Sequence, residues 1–364
     1  MKYKLKNIFD LQMGKTPSRN NTNYWNTNDY EWISIADLSK TEKYITDTKE
    51  YLSALAIDES GIKVIPANTV VMSFKLSIGK TAITGKDMYC NEAIMAFHDK
   101  HVVDILPEYI YYMFKYRNWD NGSNKAVMGK TLNKSTLSEV EIDICSIEKQ
   151  KEIVTVLDKV MESLSSRKKE LALLDELVRG RFVELFGDPI TNSKKMKTKK
   201  LKEALILKAG DITMASDISD KPTETNIYPC YGGNGIRGYV SEYNQEGEYS
   251  LVGRQGALSG NVQYAKGKFK NTEHALLVTP LCEMNSIWLN QLLLNLDLKR
   301  YQTGAAQPGL SVKNLQEIQI LIVPIDEQNQ FADFVNQIDK SKFGHLSMLT
   351  TMKSAYEQQT FIYP

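Results

Sequence analysis

The sequence predicts an α+β chain: two mixed α/β modules in tandem, separated and joined by two long helices, with an internal pseudo-two-fold repeat. Three observations predict it. A set of phrases recurs in the same order, strand-like runs punctuated by Gly, Asn and Pro fill each copy, and a heptad-spaced apolar seam follows each copy. Lys4-Leu5-Lys6 with Gly14 recurs as Lys200-Leu201-Lys202 with Gly210, an offset of 196. Val70 to Lys75, with Asn91 to Phe97 beyond it, resembles Ser250 to Gln255 with Thr272 to Val278, an offset near 181. Leu137 to Ile144 with Ile147 to Gln150 matches Leu315 to Ile322 with Ile325 to Gln328, an offset of 178. The first copy is therefore longer by 18 residues, and most of that excess lies before residue 70.

Taken in order, residues 1–146 form the first module, with a helical segment at Glu108 to Tyr116 where apolar spacing is near 3.6. Residues 147–190 form the first helical region. There Ile153, Leu157, Val160, Leu164, Arg167, Leu171, Leu174 and Val178 follow alternating steps of four and three, broken only by Arg167. Gly187-Asp188-Pro189 stops the helix, because Gly suits a left-handed cap and Pro blocks continuation. Residues 191–325 form the second module, opened by the lysine-rich stretch Ser193 to Lys200, with strands around Tyr239 to Tyr243 and Val262 to Tyr264 and a helical segment at Ser286 to Tyr301. Residues 326–364 form the second helical region, with a seam of Phe331, Val335, Ile338, Lys342, His345, Leu349, Met352 and Tyr356. The two seams are natural partners in an antiparallel coiled coil.

Composition narrows the function. Apolar residues make up 42% and charged residues 24%, a globular balance. The mean hydropathy is −0.36. Apolar stretches such as Ile318 to Ile325 fall far short of the ~18 residues that span a bilayer, and the first ten residues do not read as a signal peptide. A cytoplasmic chain with no membrane partner is expected. Cys90, Cys145, Cys230 and Cys282, like His98, His101, His274 and His345, are scattered, so neither a zinc site nor a disulfide framework is expected. The net charge is +1, distributed as 0, −1, +4 and −2 over the four regions. A DNA ligand would have to be met by local basic faces.

Motifs of chemistry fail on inspection. Gly14-Lys15-Thr16, Gly79-Lys80-Thr81 and Gly129-Lys130-Thr131 lack the upstream glycine of a phosphate-binding loop. Gly233 to Gly238 fits a dinucleotide pattern formally but precedes a strand-like segment, so it reads as a turn. Asp175-Glu176 reads as solvated helical charge, and no catalytic residue is expected.

The repeated module and helix, with Thr16 to Arg19, Tyr24-Trp25, Trp32 to Leu38, Leu185 to Pro189 and Tyr228 to Gly235, resemble the specificity subunit of type I restriction-modification systems. The resemblance covers essentially the whole chain. It implies that each module is a target recognition domain reading one half of a split, asymmetric double-stranded DNA site. It also implies that the helices serve as spacer and docking surface for two modification (methyltransferase) subunits, and that this chain binds no cofactor. S-adenosylmethionine for adenine N6 methylation, and the ATP and magnesium of a restriction (motor and nuclease) subunit, would reside in those partners. Lys149, Lys342, Gly344 and His345 depart from the family's usual helix pattern.

Two readers in one chain suit a non-palindromic site, since each strand end differs. Glu148 to Phe186 would make about 58 Å of helix at ~1.5 Å per residue, which suggests a ruler. Base contacts are expected from glycine-flanked polar loops. Arg254 and Gln255 lead in the second reader, with Ser259, Asn261, Asn234 and Arg237; Ser73, Lys75, Ser77 and Lys80, helped by Arg19 and Trp25, do so in the first. Segments Lys125 to Lys134 and Gln302 to Gln307 are candidates for phosphate contact. One other class remains open, a non-DNA scaffold of two modules on a coiled coil; a free-standing methyltransferase is disfavoured, because the sequence has no Asn/Asp-Pro-Pro-Tyr/Phe motif and no cofactor loop.

Overall fold

The structure, a computed structural model, describes residues 1–361 except 26, 76, 120–123, 127–128 and 304–308, with backbone alone at 124–126, 129–131 and 345–361. The chain separates into two compact units, Met1–Arg167 with Ser347–Pro364, and Lys168–Leu346.

In the N-terminal unit the first strand, Lys2–Lys4, pairs antiparallel with Glu141–Asp143, the last strand of the module. A single helical turn, Leu5–Ile8, then buries both of its apolar ends and leads into Phe9–Met13. A five-stranded sheet runs in the order Phe9–Met13, Ile94–Asp99, Val70–Ser73, Thr81–Thr84, Tyr44–Ile45. Helix Pro107–Tyr116, with Pro at its first turn where no N–H is needed, covers this sheet and buries Tyr109, Ile110, Tyr111, Tyr112 and Phe114. The extra length of this copy forms helices Ile35–Lys40 and Ala54–Ser60 and a small sheet of Glu50–Leu52, Tyr30–Ile33 and Tyr89–Cys90.

The C-terminal unit repeats the plan. Thr198–Lys200 pairs with Gln319–Leu321, a turn of helix Leu201–Ala204 follows, and the sheet runs Leu205–Ala209, Ala275–Pro280, Gln245–Gly253, Val262–Asn271, Tyr228–Gly232, Gly235–Val240. Helix Ser286–Asn295 covers it with Trp288, Leu289, Leu292 and Leu293. The helical segment expected to reach Tyr301 breaks at Asp297, whose φ of 47° is left-handed, and resumes as a 3₁₀ turn at Leu298–Tyr301. The Gly233 to Gly238 stretch is a hairpin connection and its second strand.

The repeated phrases acquire physical meaning here. Glu139 takes ion pairs from Lys4, at 2.9 Å, and Lys6; Glu317 takes them from Lys200, at 2.7 Å, and Lys202, at 2.5 Å. The Lys-Leu-Lys repeat thus straps the start of each module to its end. Gln150 and Gln328, at the two helix starts, are buried amides. Gln150 accepts from the Leu106 N–H and donates to the Asp104 and Cys145 carbonyls, each at 2.9 Å. Gln328 accepts from the Asn285 N–H at 2.9 Å and donates to the Val323 carbonyl at 2.8 Å.

The long helices span Ile147–Phe186 and Ile325–Phe361. Gly187, at φ 81°, caps the first as expected. Ile153, Leu157 and Val160 pack into the core of the N-terminal unit, and Val178, Val335 and Ile338 into that of the C-terminal unit. Near each helix start, then, the seam serves first to seat the helix on its own module. Leu164, Leu171 and Leu174 are half-buried. Within the C-terminal unit Phe182 and Phe186 meet Phe331 edge-on, and Lys342 pairs with Asp175 at 2.7 Å, so these stretches run antiparallel. Asp175 is therefore not merely solvated, and Lys342 is not orphaned in its seam. Leu349, Met352, Tyr356 and His345 lie outside the described side chains.

Candidate nucleic-acid interface

In the C-terminal unit four chain segments converge at one end of the six-stranded sheet. The Asp211 N–H donates to the Asn271 carbonyl and the Glu273 N–H to that of Asp211, each at 3.1 Å. Thr272 bonds the Tyr231 carbonyl through its N–H, and Arg254 bonds that of His274 at 2.9 Å. Gly253 lies so near Gly233 that a Cβ there would strike its carbonyl oxygen, which is why this loop begins with glycine. Across the same gap Asn261 donates its amide to Asn234 Oδ1 at 2.6 Å. The hairpin turn and the Gly253–Asn261 loop are thereby locked into one polar edge carrying Asn234, Arg254, Gln255, Asn261 and His274.

Arg237 is exposed on the neighbouring strand, its methylenes covering Gly232. Ser259 is fully buried and so is withdrawn from the candidate set. Its carbonyl accepts from Gln302 at 2.6 Å. Acidic groups at this edge are already engaged: the Asn244 amide and then Lys270 hold the Asp211 carboxyl below its usual range, while Glu273 meets His274 at 3.1 Å and the Thr213 N–H. Lys270, 3.4 Å from Asp211, offsets that carboxylate's repulsion toward phosphate.

The corresponding loop of the N-terminal unit lies between Val70–Ser73 and Thr81–Thr84. Ser73 is fully buried, its hydroxyl spanning the loop between the Ser77 carbonyl and the Lys80 N–H, so it too is a framework residue and not a reader. Lys75 and Lys80 are half-buried and Ser77 exposed. Trp25 is a packing residue: its indole N–H donates to the Ser18 carbonyl at 3.1 Å and its ring meets Trp32 edge-on. Arg19 stacks 3.7 Å above Trp25 and forms a two-point ion pair with Glu50, so any use of it on DNA requires that pair to open. Of the two glycine-rich candidate segments, 125–134 has described side chains only at 132–134, and 302–307 is described only at 302 and 303.

Sequence reasoning missed three features. His274 joins the edge only because the sheet sets it beside Arg254. Ile212 and Met214, 84% and 69% exposed, project from the segment that leaves strand Leu205–Ala209 at this same end. Glu92 and Glu273 occupy matching places in the two units, each accepting from the segment after Phe9–Met13 or Leu205–Ala209, at Thr16 and Thr213. The repeated Glu was visible in the aligned phrases; its partners were not. Among the described residues no three His, Cys, Asp or Glu side chains converge as metal ligands, and no helix is long and apolar enough to cross a membrane. The edge offers what base edges require: a guanidinium suited to guanine and amides suited to adenine.

Comparison with known proteins gives the family and the fold. A family model described as the type I restriction modification DNA specificity domain matches residues 1–175 and again 193–345. The chain is 30% identical over 357 residues to the EcoprrI type I restriction enzyme specificity subunit of Escherichia coli, covering 92% of this chain and 86% of that one. It is 26% identical over 333 residues to the MjaIX specificity subunit of Methanocaldococcus jannaschii, covering 88% and 68%. The fold resembles the crystal structure of a type I restriction-modification S subunit from M. genitalium, with a TM-score of 0.57 at 17% identity over 100% of this chain and 96% of that one. A chain from a study of type I complex assembly and conformational transition gives 0.57 at 15% identity, over 99% and 96%.

Proposed function

Because this chain belongs to the type I restriction modification DNA specificity family, we propose that each of its modules reads one half of a bipartite, asymmetric double-stranded DNA site. The observation that carries this reading is the polar edge of the C-terminal module, where Arg254, Gln255, Asn234 and Asn261 are gathered by glycine turns and an amide lock. Lys75 and Lys80 with Ser77 are the counterparts in the N-terminal module. The helices dock two modification subunits. Exposed apolar side chains on them, Leu173, Leu177 and Phe343, support that role, and the heptad seam supports continuation of the antiparallel pairing through Leu164 and Leu349, Met352 and Tyr356. Catalysis, S-adenosylmethionine, ATP and magnesium belong to the modification and restriction subunits, and this chain supplies recognition alone.

The test is an electrophoretic shift with the chain and its modification subunits against a randomised DNA pool. A recurring two-part sequence is expected among retained molecules. Arg254→Ala should relax one half-site by roughly 1–3 kcal/mol of base discrimination while leaving the other intact. Retention without sequence preference would instead mark a scaffold, and equal loss on every sequence would make Arg254 a phosphate anchor.

A further inference from the structure

The two recognition loops share one backbone frame. In the N-terminal unit the Ser73 N–H donates to the Lys80 carbonyl, the Gly79 N–H to that of Ser73 and the Phe74 N–H to that of Ala93, each at 2.9 Å; the Leu132 N–H donates to the Phe74 carbonyl at 3.0 Å. In the C-terminal unit the same four bonds run from Gly253 to Asn261 and Gly260 to Gly253, at 2.8 Å, and from Arg254 to His274 and Leu310 to Arg254, at 2.9 Å. Gly79 and Gly260 close the loops at φ 88° and 86°. Each packs against the segment that follows its covering helix: a Cβ on Gly79 would meet the Trp119 ring at 2.9 Å, and one on Gly260 the Lys299 nitrogen at 2.7 Å. The frame thus pairs Phe74 with Arg254, Lys75 with Gln255, Lys80 with Asn261 and Ala93 with His274. The C-terminal loop is one residue longer, and the difference falls between the second and third of these positions.

Two of the four pairs are not interchangeable. Phe74 is buried in the core of its unit at 1% exposure, where Arg254 is half-exposed, and Ala93 is likewise buried where His274 is not. The remaining pairs set lysine against an amide at the same two points, in loops held alike. Lysine donates and suits the O6 and N7 acceptors of guanine, whereas Asn and Gln match the donor and acceptor of adenine.

We infer that Lys75 and Lys80 in one module, and Gln255 and Asn261 in the other, occupy the same two base-reading positions of a shared loop frame, so that exchanging them exchanges guanine for adenine preference there. This rests on the DNA-reading function proposed above.

The experiment uses the full chain with its modification subunits and a DNA pool randomised at the recognised positions. Lys75→Gln with Lys80→Asn should move one or two positions of a single half-site from guanine toward adenine by about tenfold or more. Gln255→Lys with Asn261→Lys should move the other half-site from adenine toward guanine. Unchanged bases in both half-sites would overturn the inference, as would a loss equal across all sequences, which would make these side chains phosphate contacts. Thermal melts identify a variant that fails to fold, in which case Lys80→Asn or Asn261→Lys alone decides. A wild-type complex that selects no sequence defeats the DNA-reading function itself, a result distinct from either.

Discussion

Gln150 illustrates how much one buried side chain can carry. Its amide satisfies three backbone groups, on Leu106, Asp104 and Cys145, and so ties the start of the long helix to the chain leading into helix Pro107–Tyr116. Replacing it with Leu keeps the bulk but leaves those groups unpaired, at about 1–3 kcal/mol for each that stays dry. Gln150→Leu should lower the thermal midpoint of the N-terminal unit by several degrees, and Gln328→Leu should do the same to the C-terminal unit. Unchanged midpoints would show that water takes over the amide's bonds. The sequence marks both glutamines as repeated residues at a helix start, yet their role as buried connectors depends on loops more than 40 residues away in the chain. The burial of Ser73 and Ser259 was hidden as well. A serine among glycines reads as a presented hydroxyl, and only the close turn around Ser73 and the packing of Gly260 on Lys299 turn both inward.

At the scale of elements, the Lys-Leu-Lys strap makes a pH-dependent closure. Lys6 and then Lys4 hold the Glu139 carboxyl down to about 2, and Lys200 and then Lys202 do the same to Glu317, from an ordinary value of 4.5. A carboxyl depressed on folding stabilises the native state above its unfolded value and loses that contribution as pH falls through the folded one. The straps should therefore weaken between about pH 4.5 and 2. Glu139→Gln with Glu317→Gln should flatten the decline of the melting temperature over that window. Both groups are exposed, so salt should shrink the effect; a decline unaltered in the double variant at low salt would show that other carboxylates govern it. Two helical features were legible: apolar spacing marks the helix at Glu108 to Tyr116, which the structure starts one residue earlier, and Gly187 marks the stop of the first long helix. The break at Asp297 was not, because Leu296, Asp297 and Leu298 carry no Gly or Pro to announce a left-handed residue.

For the molecule as a whole, the repeat was readable because order and spacing survive where individual residues differ. The loop frame was not, since Phe74 and Arg254 share a position without sharing any chemistry. If helix length sets the separation of the half-sites, four residues inserted after Arg167 and after His345 should add about 6 Å to each helix. That equals nearly two base pairs at about 3.4 Å, and a four-residue stutter perturbs the seam only locally. Selection from a randomised pool should then return the same half-sites with one or two more unread base pairs between them; altered bases with an unaltered gap would refute the division between readers and ruler.

The closing strands also set a timetable. Lys2–Lys4 cannot pair until Glu141–Asp143 has left the ribosome, which at roughly 5–20 residues per second is a wait of about 7 to 28 seconds. Thr198–Lys200 emerges only after that first pair is available to form, and its own partner, Gln319–Leu321, comes later still. Two modules closed by matching strand pairs are at risk of trading strands if they fold together. Synthesis from one end separates the two closing pairs in time, so the first module has its own partner strand available before the second offers a competing edge.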